Sequence, residues 1–210
     1  MRNADSEEAS DGKRAASGTV EGRHPMAEVE RNVISLLREQ LKTANELVEG
    51  TVGDVTPEQA HWIPPGVAMP IGASYAHVVV GQDGVINGML KGGAPLFASA
   101  WAGKTGLSEL PPDIDPKKPG LPEWSAWSRK VKVDLPVFRK YAQAVYAASD
   151  EYLATLRGKD LDRPIDLTTL GFGQSTMGFM INNAIVGHAF THCGEISCLK
   201  GLQGKKGYPF

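Results

Sequence analysis

The sequence predicts an all-α fold: a four-helix bundle, antiparallel, with long crossover connections. Three observations predict it. Apolar residues recur at three- and four-residue spacing in four separate stretches, Gly- and Pro-rich connections separate those stretches, and no internal repeat or convincing strand pair interrupts them. The length of 210 residues favours one domain, with sequence to spare for a tail or long loops.

The elements follow in order. Residues 1–25, "MRNADSEEASDGKRAASGTVEGRHP", are charged, small and almost free of large apolar side chains. Such a segment cannot repay the entropy of folding, so it reads as a disordered leader or a vector remnant, and residues 26–210 as the folded bundle. From Glu28 a helical period appears in Val29, Val33, Leu36, Leu37, Leu41, Ala44, Leu47 and Val48, and it ends between Gly50 and Gly53. "TPEQ" follows as a short helical start, with Thr56 as N-cap, Pro57 at the first helical position and Gln59 completing a capping box. "IPPG" stops it. A second long helix is expected over Ile71 to Leu90, "IGASYAHVVVGQDGVINGML". Gly81, Gly84 and Gly88 follow His77 on one face there, through the close approach of a neighbouring helix or as open space beside the histidine.

Residues 91–121 read as loop, most clearly "ELPPDIDPKKPG", and "PEWSAW" as a short turn carrying Trp124 and Trp127. A third helix covers about Leu135 to Leu156, with Phe138, Ala142, Val145, Ser149, Tyr152 and Leu156 on one side. "GKDLDRPIDLTTLGFGQST" is a connector. The fourth helix runs from about Thr176 to Leu202, closed by Gly204 and Gly207.

Composition narrows the function classes. Hydrophobic residues at 41% suffice for a real core, while a formal charge of −2 gives no footprint for nucleic acid or an anionic membrane. No apolar run approaches the ~20 residues of a membrane span, and no signal-peptide core precedes the first helix, so a cytoplasmic location is expected. Cys193 and Cys198 are five apart on the fourth helix, about 140° around its axis, which argues against a bridge and for reduced thiols.

The chemistry concentrates in "GHAFTHCGEISCLKGLQG", residues 187–204. On the fourth helix Ile181, Ala184, Ile185, His188, His192, Glu195 and Leu199 share roughly 100° of arc, the face expected to pack inward. Imidazoles at i and i+4 can reach one ion, yet H-x3-H alone also fits two hydrogen-bonded core histidines. His77 shifts the balance. It stands in apolar sequence on a facing helix, and three histidines from two helices match catalytic sites that leave a position for water or substrate. His24 lies in the leader, and His61 sits in a polar turn where a surface or capping role fits better. Glu195, one turn beyond His192, is a candidate catalytic residue: a general base, a further ligand, a carboxylate orienting an imidazole, or simply a helix-end acid. Cys193 points about 100° from His192 and reads as a buried structural thiol. Trp62, the 91–121 stretch and Gln174 to Thr176 could border the site, and nothing in the sequence ranks them.

The combination "TPEQAHWIPPG", "IGASYAHVVVGQDG" and "IVGHAFTHCGEISCLKGLQGKKGYPF" resembles the DinB-like (DinB/YfiT) superfamily over most of residues 28–210. The resemblance implies a four-helix bundle of that type with a three-histidine metal site, often assembled as a homodimer. His77, His188 and His192 match the family's histidines, and none of the three is missing. Some family members are thiol-dependent transferases or isomerases using low-molecular-weight thiols, so the resemblance also admits a thiol cosubstrate.

The expected function is a metal-dependent enzyme in which a divalent transition metal (zinc, nickel or iron) activates a thiol or water nucleophile toward a small-molecule substrate, of transferase or hydrolase type. The alternatives are a non-catalytic metal- or small-ligand-binding stress protein, and a dimerising module without metal.

Overall fold

A computed structural model describes residues 25–112 and 124–210. Of the leader expected at residues 1–25, residues 1–24 lie outside the described residues, as do the loop residues 113–123, while Pro25 is the first residue of a helix. The described chain is mostly helical. Helix α1 runs over Pro25–Val52 and is followed by the short α2, Pro57–Ala60. Thr56 accepts a hydrogen bond from the Gln59 N–H, and the Gln59 side chain accepts one from the Thr56 N–H, so the expected capping box is present. Helix α3, Ile71–Asp83, continues without a break into a π-wound segment, Gly84–Leu90. A 3-10 turn at Leu96–Ala98 and the short α4, Ser125–Ser128, precede α5, Leu135–Ala154. The last helical stretch starts as α6, Met177–Phe179, passes through a π-wound segment, Met180–Gly187, and ends as α7, His188–Leu202.

Helix α1 packs against α5 and α7, and α3 packs against the same two helices. The core between them includes Tyr75, Phe138, Tyr141, Ile181 and Ile196, all fully buried. Helix α3 is strongly apolar: Ile71 through Ala76 and Val78 through Val80 are buried, so nearly its whole circumference faces protein. Such a helix has little room for polar side chains, and each one it carries needs a reason.

The start of α5 depends on one glycine. Gly106 has φ +85°, and a Cβ there would lie 2.9 Å from the Phe138 N and 3.1 Å from the Asp134 O. Its carbonyl accepts from the Asp134 N–H at 2.8 Å, and the Asp134 side chain in turn caps the Val137 N–H at 3.2 Å.

Two sequence expectations are corrected. Along α1 the apolar face is displaced at its start: Ile34 is buried while Val33 and Leu36 are exposed. The connector between the last two long helices contains an antiparallel hairpin, β1 (Pro164–Leu167) and β2 (Gly173–Thr176), with Leu167 opposite Gly173. With four residues per strand and Leu167 the one buried side chain among them, it carries too little alternation to be read from sequence.

Candidate metal centre

The π-wound segment before α7 delivers the chain into an α-helical turn that places His188 and His192 on the side facing α3. There they meet His77, half-buried on the otherwise largely buried α3. The ring centroids lie 4.8 Å apart for His77 and His188, 4.9 Å for His77 and His192, and 4.4 Å for His188 and His192. One nitrogen from each ring can be chosen so that all three lie within 4.8 Å of one another. The Nε2 atoms of His77 and His188 face each other at 2.9 Å.

Electrostatics keeps the ligand atoms available. Burial, reinforced by repulsion from His188 and His192, pushes His77 down to about 3. His188 is pushed down to about 4 by burial and then by His192. Both rings are therefore neutral near pH 7, and a neutral imidazole offers a lone pair. On His192 the tautomer is set from outside: Nδ1 donates to the Glu195 Oε2 at 2.7 Å, which leaves Nε2 as the lone-pair nitrogen.

The donor set fits a divalent transition metal. Ligands about 2.05 Å from a tetrahedral ion stand about 3.3 Å apart, and the observed spacings of 2.9 Å to 4.8 Å bracket that value. Without an ion, two neutral imidazoles share one N–H between facing nitrogens, while the His77 Nδ1 is buried with no hydrogen-bond partner among the described residues. His61, by contrast, satisfies both nitrogens: its Nδ1 bonds the Pro57 carbonyl at 2.7 Å and its Nε2 accepts from the Val133 N–H at 2.9 Å. It has the capping role the sequence suggested.

Of the glycines after His77, Gly81 comes nearest the site: a Cβ there would lie 3.8 Å from the His188 Cε1. Gly84 borders open space, and Gly88 lies tight against Pro95. Close approach and open space thus both occur along one stripe. Cys193 is buried, bonded to the Thr51 hydroxyl at 3.1 Å, and neither cysteine forms a disulfide. Trp62 packs against the core, and Gln174 to Thr176 belong to β2; neither makes a hydrogen bond or ring contact with the three histidines.

One neighbour was not singled out from sequence. Trp124 packs edge-to-face on His77 with centroids 4.2 Å apart, and is itself 5.5 Å from Trp127. The spacing of the two tryptophans gave a turn but no indication of which distant helix it would cover.

The model of the DinB superfamily matches residues 40–196. Among solved structures, the crystal structure of a conserved protein from Enterococcus faecalis superposes with a TM-score of 0.68 at 22% identity, covering 82% of this chain and 98% of that one. That likeness concerns the fold. No curated protein matches.

Proposed function

We propose, from the premise that this chain belongs to the DinB superfamily, that it is a metal-dependent enzyme built on a four-helix bundle of the DinB/YfiT type, with His77, His188 and His192 as the ligands of one divalent transition metal. The observation that carries this reading is the convergence of three imidazoles from two helices, with two facing nitrogens 2.9 Å apart inside an otherwise apolar interface. An ion bound there supplies Lewis acidity that lowers the pKa of a bound thiol or water at neutral pH. The chain's own residues hold and shape the site. His77 and His188 stay neutral, Trp124 walls His77, and Glu195 orients His192 and can take a proton at its exposed carboxylate.

Three nitrogen ligands leave a coordination position for a small molecule, which supports a transferase or hydrolase reaction with a low-molecular-weight thiol or water as nucleophile. A homodimer acting in the cytoplasm completes the reading. No described helix is long and apolar enough to cross a membrane.

The test is elemental analysis of protein purified without a metal-affinity column, beside the His188→Ala/His192→Ala double variant. The parent is expected to carry near one equivalent of zinc, nickel or iron, and the variant none. Parent protein that neither carries nor takes up metal would overturn the reading. With metal present, screening of thiol transfer to small electrophiles comes first; absence of any turnover would leave a metal-binding protein and remove the enzyme claim.

A further inference from the structure

His192 is oriented by a hydrogen bond, and His77 is not. The Nδ1 of His192 donates to Glu195, whereas the Nδ1 of His77 is buried with no hydrogen-bond partner among the described residues. The last torsion of a histidine side chain joins an sp3 to an sp2 carbon, so its preference is broad and roughly twofold. A half-turn about it would put the ring carbon Cε1 where Nε2 now faces His188. A metal-ligating imidazole ordinarily has its orientation set by an acceptor at its other nitrogen. His77 needs a different support.

Its ring contacts offer one. Among the described residues His77 meets three rings: two are the other histidines, and the nearest, at 4.2 Å between centroids and 72° between planes, is Trp124. Edge-to-face packing is directional, because the positive edge of one ring meets the negative face of the other. Trp124 is itself held in place. It precedes α4, and its carbonyl accepts from the Ser128 N–H at 2.8 Å. Trp127 is 6% exposed, packs edge-to-face on Trp124, and donates its indole N–H to the Glu109 carbonyl at 3.3 Å. Beyond α4 the chain is tied to the same segment: the Lys132 N–H donates to the Ser108 hydroxyl at 2.8 Å, and the Ser108 N–H to the Lys132 carbonyl at 2.9 Å. A turn fastened in this way presents one indole to His77.

We infer that Trp124 is a positioning residue of the metal site, holding the His77 ring with Nε2 toward His188 and His192 as Glu195 holds His192. This role rests on the metal reading above and adds to it that one ligand is oriented by packing in place of a hydrogen bond. Support of that kind depends on the shape of a ring and not on polarity, so phenylalanine should serve where leucine does not.

The test loads the full chain with zinc, follows the imidazole nitrogens by proton–nitrogen correlation NMR, and measures affinity by competition with a chromophoric chelator. In the parent, Nε2 of His77 is expected to be the zinc-bound nitrogen, with Overhauser contacts between the His77 and Trp124 rings. Trp124→Leu should weaken zinc binding about tenfold and broaden or divide the His77 signals while those of His192 stay in place. Trp124→Phe should recover most of both. A parent that takes up no zinc overturns the metal reading and this role together. Where the parent binds zinc, equal affinity and unchanged His77 signals in Trp124→Leu, or a Trp124→Phe variant no better than Trp124→Leu, overturns the positioning role alone. If Trp124→Leu does not fold, the parent's spectrum decides: zinc on Nδ1 of His77, or no contact between the two rings, overturns it.

Discussion

The contact between His192 and Glu195 joins an imidazole largely covered in a helix interface to a carboxylate that is half in water. The imidazole side chain is 13% exposed and the carboxylate 54%. An exposed acid contributes little to folding, so its substitution separates site chemistry from stability. Glu195→Gln keeps an acceptor for the Nδ1–H but removes the charge, and Glu195→Ala removes both. We expect metal affinity to fall by about 10-fold to 100-fold in the alanine variant and by less in the glutamine variant. The melting curves of both metal-free proteins should overlay the parent's. Competition against a chromophoric chelator measures the affinities, and an unchanged affinity in Glu195→Ala would remove Glu195 from the site. At this scale the sequence was informative because a polar residue on an apolar face is conspicuous. His77 stood out among valines, and His188 and His192 occupied positions where leucine is ordinary. Trp124 did not stand out, because an aromatic residue in a short turn has many possible neighbours.

At the scale of elements, the junction after α3 is tied by one buried carboxylate. Asp83 is wholly inaccessible and accepts from the Tyr141 hydroxyl at 2.7 Å, the Asn87 amide at 2.8 Å, and the backbone N–H groups of Leu96 and Phe97 at 2.9 Å and 3.0 Å. Through it α3, its π-wound continuation, α5 and the 3-10 turn share one fastening. Asp83→Ala leaves all four donors without their acceptor, and a loss of more than about 3 kcal/mol in denaturant unfolding is expected. A loss below about 1 kcal/mol would show that water replaces the carboxylate there. The four long helices and the capping box at Thr56 were legible because period and caps are local. The hairpin was not, since its pairing relies on contacts across a turn. The slip between Val33 and Ile34 escaped because adjacent apolar residues fit either phase, and packing alone decides between them.

For the whole molecule, an ion held by the three imidazoles of α3 and α7 would link ion binding to global stability, because the unfolded chain does not hold them together. Saturation at about 100 times the dissociation constant should stabilise the fold by about 2.7 kcal/mol, seen as a higher melting temperature in the parent and no shift in His192→Ala. A shift retained in that variant would place the ion elsewhere. The 22% identity to the Enterococcus faecalis structure shows how far sequence can drift while this architecture persists. The π-wound stretch Met180–Gly187 bears on that drift. A π turn holds one residue more than an α turn, and it is what a one-residue insertion leaves when the helix on either side stays in place. Losing that residue would return the ladder to α pitch and turn one half by about 100° against the other, so that the buried faces of Ile181 and Ile185 and the histidine face could no longer both point inward. Point substitutions can accumulate along this helix, whereas a change in its length by one would cost either the core or the histidine cluster.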